Sequence, residues 1–281
     1  PRAAAIALAP TRTTPPRATE DLQTSLSAQV GWSRLPPQKD YPGTGLLADI
    51  ERHLPPSMGT QYRDANPATW AHETTHGINS FLRNSAGRPN VNGFYVGNDR
   101  AVVLEEPPIR KSSVASFIPP ELRGFRFDQY VTGQTAFENS PLYLMDEWSA
   151  YCNGAETGLE LARAGRWTQP AQDLVAGPLE FTTYAFAVAM ATEAQHPGYL
   201  AQHPQLKAFL GWQALRALDL HREGMKYAQF NGFSEQKRLY QALRESPGAQ
   251  PLRDFIKAQY GAAYLDRLLT GQQGATPPAD D

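Results

Sequence analysis

The sequence has very little cysteine, very little net charge and no long apolar run, and each shortage excludes a class of protein. Its one cysteine, Cys152, excludes an intrachain disulfide and any zinc cluster built from cysteines. Lys and Arg number 26 against 28 Asp and Glu, a net charge of −2, which argues against a dedicated nucleic-acid-binding protein and against electrostatic attraction to an anionic membrane. No run of 18 apolar residues occurs, so no transmembrane helix is expected.

The chain does contain enough apolar sequence to bury a sizeable core, since 41% of its 281 residues are hydrophobic. We predict one folded domain over residues 21–270, with a helical subdomain at about 170–270. Residues 1–20, rich in Ala, Pro and Arg, and residues 271–281, rich in Gly, Gln, Pro and Asp, are predicted to be flexible tails. In the first tail, Ala7-Leu8-Ala9 has the small-x-small form of a secretory cleavage site, which predicts a secreted or periplasmic protein; an ordinary flexible tail is the alternative.

Helical patterns dominate the chain, and one segment is typical of sheet. Between Asn92 and Leu104, two β-prone runs flank a Gly-Asn-Asp turn, which predicts a β-hairpin. After the first predicted helix, residues up to 60 contain turn-rich pieces at Leu35–Pro37, Tyr41–Gly43 and Leu54–Pro56. This distribution indicates an α+β protein that is predominantly α-helical. The predicted helices cover Glu20–Val30, Asn66–Asn84, Leu142–Arg163, Ala171–Gln195, Gln205–Phe230, Ser234–Glu245 and Leu252–Thr270.

The second predicted helix contains the sequence His-Glu-Thr-Thr-His. His72 and His76 are four residues apart, so both imidazoles project from one helical face, about one turn apart. Two nitrogens with that separation can bind one Zn²⁺ at roughly 2.0–2.1 Å. Glu73 is too close to His72 along the helix to be a third ligand, and it is predicted to act as the general base on a zinc-bound water.

The segment Thr69–Ile78 resembles the extended signature of the zincin zinc metallopeptidases. A threonine opens it, uncharged residues fill the positions around and between the histidines, and a hydrophobic residue closes it. The resemblance implies a zincin-like catalytic domain in which water attacks a peptide carbonyl in a cleft between the motif helix and a sheet edge. Asn79 and Leu82 stand where the metzincin branch has Gly and His, so that branch is excluded.

In the gluzincin branch of the zincins, the third zinc ligand is a glutamate on a downstream helix. Glu147 is the preferred candidate, because small residues on its helical face permit close approach to the motif helix and because it begins a Glu-x-x-Ala arrangement common in gluzincins. Glu156 is the alternative, and Asp128 and Glu138 are further candidates. Asp146 is interpreted as a carboxylate that orients a ligand imidazole. The residues on the face of Glu147 are Ala150, Tyr151, Gly154 and Gly158.

Amide hydrolysis also requires a hydrogen-bond donor for the developing oxyanion. Tyr151 and Tyr143 lie one helical turn after and one turn before Glu147, and a phenol often has this role in gluzincins. His221 is a third candidate. The resemblance further implies that the predicted hairpin binds an extended peptide by strand addition, although a purely structural hairpin fits the sequence equally well.

These features predict a zinc-dependent metalloendopeptidase of the gluzincin type, with one Zn²⁺ per chain and a peptide or protein substrate. Two alternatives stay open: a zinc hydrolase of cell-wall peptides or glycopeptides, and a non-catalytic helical binding protein. A structural zinc site would need four protein ligands, and the sequence offers no obvious fourth. We expect no nucleic-acid partner and no transmembrane segment, and the sequence leaves the oligomeric state open.

Overall fold

The computed structural model describes residues 21–168 and 171–272, and it confirms a predominantly helical α+β fold with a small sheet. Except for residues 271 and 272, both predicted tails, including the Ala7–Ala9 segment, lie outside these ranges. Among the described residues, no helix has both the length and the apolar character of a membrane span. The helices are α1 (Leu22–Val30), α2 (Leu46–His53), α3 (Pro67–Ser85), α4 (Tyr143–Arg163), α5 (Ala176–Gln195), α6 (Tyr199–Gln202), α7 (Pro204–Gly224), α8 (Ser234–Glu245), α9 (Gln250–Tyr260) and α10 (Ala262–Thr270), and the strands are β1 (Ser33–Arg34), β2 (Val91–Tyr95) and β3 (Arg100–Glu105).

The predicted hairpin is present and belongs to a three-stranded antiparallel sheet with the order β1-β3-β2. Asn98 and Asp99 turn the chain between β2 and β3 with φ angles of 56° and 59°. This is the left-handed region that Asn and Asp tolerate better than most other residues. The short strand β1, which the sequence did not predict, pairs Ser33 and Arg34 with the start of β3.

Helix α3 begins where the sequence predicts because its first turn is capped. The Asn66 side chain accepts hydrogen bonds from the backbone N–H groups of Ala68 and Thr69. One side of α3 packs against β2 at Gly93, where a Cβ atom would overlap that of Leu82. Glycine at this position therefore lets the strand lie directly on the helix that contains the histidine motif.

Helix α4 lies close to α3 at Gly154, as its predicted face of small residues requires. A Cβ atom on Gly154 would be 2.8 Å from the carbonyl oxygen of Ala68 and 3.5 Å from the Cβ of His72. Gly158, which shares that predicted face, instead lies against the side chains of Trp167 and Leu174. The close approach at Gly154 brings the side chains of α4 within reach of the histidines on α3.

The helices differ from the sequence prediction in two places, and each difference has a local cause. Residues 46–53, for which the sequence predicted no helix, form α2, because the prolines flank this stretch and do not interrupt it. The predicted helix 252–270 is two helices, α9 and α10. They separate at Gly261, whose φ of 89° and ψ of 165° no helix can accommodate.

The main hydrophobic core lies among α4, α5 and α7, and α5 is buried along most of its length. Helix α5 begins at Ala176, not at the predicted Ala171, and α7 ends at Gly224, not at Phe230. A Cβ atom on Gly224 would overlap Val175, so the end of α7 packs directly on the residue that precedes α5. This packing fixes the helical layer against which α4 rests.

Candidate metal centre

Two histidines of α3 and one glutamate of α4 meet at a point between the two helices. The Nε2 atoms of His72 and His76 are 3.1 Å apart, and the Oε2 atom of Glu147 lies 3.6 Å from the first and 3.4 Å from the second. Ligands of a tetrahedral zinc ion at bond lengths of roughly 2.0–2.1 Å lie about 3.3–3.4 Å apart. The three atoms therefore have nearly the spacing that one zinc ion requires, and these side chains fit the ion.

The other carboxylates that the sequence offered as ligands lie elsewhere. Glu156 forms an ion pair with Arg216 of α7 at 2.6 Å. Asp128 is exposed, and Glu138 accepts a hydrogen bond from a serine hydroxyl. Within the described ranges, Glu147 is the carboxylate that groups with both histidines.

Asp146 contacts the imidazole of His76 at Nδ1, whereas the other ring nitrogen, Nε2, faces His72 and Glu147. Its Oδ2 atom is 3.1 Å from His76 Nδ1, and the Asn79 amide donates a hydrogen bond of 2.5 Å to its Oδ1 atom. Asn79 also donates to the Ser149 hydroxyl at 3.0 Å and accepts a hydrogen bond of 2.8 Å from the backbone N–H of Tyr95. A carboxylate behind a ligand imidazole fixes the tautomer and the orientation of zinc-binding histidines. The structure thus places Asp146 where the sequence interpretation requires it.

The two imidazoles have different electrostatic surroundings. Burial lowers the pKa of His72 well below its usual value, and the charges of His76 and Arg126 lower it further. Burial also disfavours the charged form of His76, but the carboxylates of Asp146 and Glu147 outweigh this effect and raise its pKa well above the usual value. Two carboxylates around buried imidazoles create a negative potential, which favours a cation at this point.

Replacement of Asp146 by asparagine is expected to weaken zinc binding by about 10–100-fold, because the imidazole of His76 loses its charged partner. The amide has nearly the same shape, so the packing between α3 and α4 is retained. Competition with a chromophoric chelator measures the zinc affinity. The exposed Asp40 offers a matched control, since Asp40→Asn makes the same chemical change away from the site. Equal affinities in the two variants would contradict the role assigned to Asp146.

A cavity of about 330 Å³ lies beside the metal-binding point, along the first half of α3. His72, Glu73 and Tyr151 all line it, and Glu73 is exposed. The ring of Tyr151 stands edge-on to that of His72 with centroids 4.5 Å apart, and its hydroxyl is 3.1 Å from that of Tyr130. The cavity therefore brings the predicted general base and one predicted oxyanion donor to the same side of the ligand set.

Tyr143, the other tyrosine predicted as an oxyanion donor, is not among the residues that line this cavity. Its hydroxyl forms a hydrogen bond with the Glu147 carboxylate, and burial together with this negative charge raises the pKa of Tyr143. Its ring stacks on that of Phe137 with centroids 4.0 Å apart. Tyr143 is therefore placed to orient the Glu147 carboxylate.

His221, the third donor considered, is a core histidine of α7. It is buried, its Nδ1 atom lies 2.9 Å from the carbonyl oxygen of Val175, and its ring packs against Tyr240. Burial lowers the pKa of His221 to about 4. It does not line the cavity beside His72, so its position gives no support to the prediction that His221 donates to an oxyanion.

Arg126 lines the same cavity, although no sequence pattern indicated it. Its guanidinium carbon lies 4.8 Å from the centroid of the Tyr151 ring. It is buried and forms ion pairs with Glu180 at 2.6 Å and Asp173 at 2.9 Å. Because these partners are 54 and 47 residues away in the sequence, no local spacing could have indicated this cluster.

Tyr130 belongs to a π-helical turn, Phe127–Thr132, which Lys111 stabilises. The buried Nζ atom of Lys111 donates hydrogen bonds to the carbonyl groups of Tyr130 at 3.1 Å, Val131 at 2.6 Å and Gly133 at 2.6 Å. A cation at this end compensates carbonyl groups that the turn leaves unsatisfied. Turns of π-helix are rare and often occur at functional sites, and this one forms part of the cavity wall.

Comparison of the chain with protein-family models, with curated proteins and with solved structures found no match. A function therefore has to be inferred from the positions of its own side chains. These include three ligand atoms with zinc-like spacing, an exposed carboxylate one position from a ligand, and a phenol on the wall of the same cavity.

Proposed function

We propose that the protein is a zinc-dependent metalloendopeptidase of the gluzincin type, in which His72, His76 and Glu147 bind one catalytic Zn²⁺. The observation that carries this proposal is the spacing of the three ligand atoms, at 3.1, 3.4 and 3.6 Å, across two helices. The two histidines lie within the segment Thr69–Ile78 that resembles the zincin signature, and the approach of Glu147 to both of them is a contact between α3 and α4 that sequence spacing does not give.

The chemistry divides between the ion and the side chains around it. Zinc bound at this point would act as a Lewis acid that polarises the peptide carbonyl. It would also lower the pKa of a bound water, so that the water can lose a proton near neutral pH and attack the carbonyl carbon. Glu73 takes the proton of that water, because its carboxylate is exposed on the cavity wall next to His72. Protonated Glu73 then gives the proton to the leaving amine nitrogen as the peptide C–N bond breaks.

Tyr151 is the residue best placed to donate a hydrogen bond to the carbonyl oxygen as that oxygen becomes negative. Its phenol is held between the guanidinium of Arg126 and the ring of His72. Burial and the charge of Glu147 raise the pKa of the neighbouring Tyr130, so this second phenol stays protonated and can keep its hydrogen bond with Tyr151.

The number of ligands favours a catalytic ion over a structural one. Structural zinc sites are closed by four protein ligands, whereas catalytic sites keep one position for water and substrate. In residues 21–168 and 171–272, the metal-binding group at this point consists of His72, His76 and Glu147. This argues against the non-catalytic binding protein, while a hydrolase of cell-wall peptides would use the same machinery on another substrate.

Treatment with the chelator ortho-phenanthroline is expected to abolish hydrolysis of a mixed peptide library, and added Zn²⁺ is expected to restore it. The non-chelating isomer meta-phenanthroline is the matched control and should leave the rate unchanged. A parallel assay with cell-wall stem peptides separates the two substrate classes. Hydrolysis that resists the chelator, or zinc-loaded protein that cleaves neither substrate, would refute the proposal.

A further inference from the structure

A second group of metal-binding side chains joins α2 to the turn between β2 and β3. Asp49 and His53 lie one turn apart on α2, and Asp99 lies in the hairpin turn. His53 is fully buried, and its Nε2 atom is 3.0 Å from Asp99 Oδ1. One potential ligand atom from each of the three residues lies within 4.8 Å of those of the other two. None of the three residues lines the cavity at His72, so this group is separate from the first.

The hydrogen bonds around His53 show which ring nitrogen carries a hydrogen. Its Nδ1 atom is 2.7 Å from the backbone carbonyl oxygen of Asp49, which can only accept, so Nδ1 is the donor. The Tyr95 hydroxyl, 2.8 Å from the same nitrogen, donates its own hydrogen to Asp49 Oδ2 at 2.6 Å. In the neutral ring, Nε2 therefore presents a lone pair to the carboxylate of Asp99. Two acceptors this close require a cation between them.

Either a proton or a metal ion would satisfy this requirement. The alignment of the contact between His53 Nε2 and Asp99 Oδ1 distinguishes the two possibilities. A proton on Nε2 needs the carboxylate oxygen in line with the N–H bond, but Nε2 of His53 makes no aligned hydrogen bond with Asp99 or with any other group in residues 21–168 and 171–272. Two ligands of one ion, at bond lengths of about 2.1 Å, lie roughly 3.0–3.4 Å apart and each points at the ion. A short but unaligned contact is therefore what a shared metal ion produces.

We propose that His53 Nε2 and the carboxylates of Asp99 and Asp49 bind a second divalent transition-metal ion, such as Zn²⁺. One imidazole and two carboxylates suit this class of ion. Donation of Nδ1–H to a backbone carbonyl is a contact that typically orients a metal-binding histidine. Arg34 pairs with the other oxygen of Asp99 at 3.2 Å and leaves Oδ1 to the ion, while Arg52 lies 3.9 Å from Asp49 Oδ1.

An ion at this site would fasten the hairpin turn to α2. Asp99 and its neighbour Asn98 both have positive φ angles, so the turn gains from a contact that holds it. The ring of Tyr95 packs on that of His53 with centroids 4.9 Å apart, and its hydroxyl binds Asp49, so strand β2 is tied to the same point. The site does not depend on the proposed peptidase activity.

The zinc content of dialysed protein, measured by mass spectrometry, tests this site without an activity assay. We expect two zinc ions per chain in the wild type and one in Asp99→Asn. His53→Gln, which leaves the pair between Arg34 and Asp99 in place, is expected to lose the same ion. Asp40→Asn is the matched control, because it removes one exposed carboxylate and is expected to keep both ions.

The same measurement distinguishes failure of this inference from failure of the proposed function. If only the second site is real, the wild type holds one ion, which His76→Ala keeps and Asp99→Asn loses. Zinc contents that neither Asp99→Asn nor His53→Gln changes, in protein shown to be folded by circular dichroism, would overturn the inference. If both variants unfold, the zinc content of His76→Ala tests the inference instead. A folded His76→Ala protein that contains no zinc would also overturn it.

Discussion

Glu73→Gln is expected to lower kcat by about 10²–10⁴-fold while the protein keeps its zinc. Glutamine has nearly the same shape as glutamate but cannot accept the proton of the attacking water. Glu73 is exposed and lines the cavity, so the substitution disturbs neither the core nor the ligand set. Turnover of the best peptide from the library and zinc content are measured on the same preparation.

Glu245→Gln is the matched control for Glu73→Gln, because Glu245 is an exposed glutamate at the end of α8 and lies outside the cavity at His72. It makes the same change in net charge and is expected to keep wild-type turnover. A zinc-loaded Glu73→Gln protein with near wild-type kcat would eliminate Glu73 as the general base. Loss of zinc from that variant would instead make Glu73 a ligand.

Glu147→Gln is expected to remove zinc from the site between α3 and α4 and, with it, all hydrolysis. The carboxylate lies 3.6 and 3.4 Å from the Nε2 atoms of His72 and His76, where it supplies the negative charge of the ligand set. An amide has no such charge and is a weaker ligand. The loss of affinity should exceed the 10–100-fold expected for Asp146→Asn, since Glu147 is placed to contact the ion itself. Zinc competition and turnover provide the two readouts.

Glu156→Gln provides the comparison for Glu147→Gln, because the sequence alone left both glutamates open as the third ligand. Glu156 pairs with Arg216 at 2.6 Å, so its substitution is expected to leave the zinc affinity unchanged and to weaken the packing of α4 on α7. The opposite pattern, with zinc retained in Glu147→Gln and lost in Glu156→Gln, would assign the third ligand to Glu156.

The histidine pair could be identified from the sequence because its geometry is local. One helical turn separates His72 from His76, and Asn66 at the cap fixes the start of that helix, so residue spacing determines which side chains share a face. The choice of Glu147 needed one long-range element, the close approach of α4 at Gly154. Small residues on a helix face indicate such an approach, and the structure has it at Gly154.

The remaining features depend on contacts that no local pattern encodes. Tyr143 and Tyr151 lie on the same predicted face of α4, yet the first binds Glu147 and the second lines the cavity, because different segments pack on the two ends of the helix. Arg126 comes near the site only because Glu180 and Asp173 hold it there. Tertiary packing therefore decides which residues complete the site.

Asn79 connects the proposed metal centre to the protein core through hydrogen bonds. From α3, its buried amide binds Asp146 and Ser149 on α4 and the backbone of Tyr95 on β2. Any opening that separates these three elements breaks a buried hydrogen bond and releases the imidazole of His76 at the same time. We therefore expect the proposed metal site to lose its ion on heating only when the whole domain unfolds.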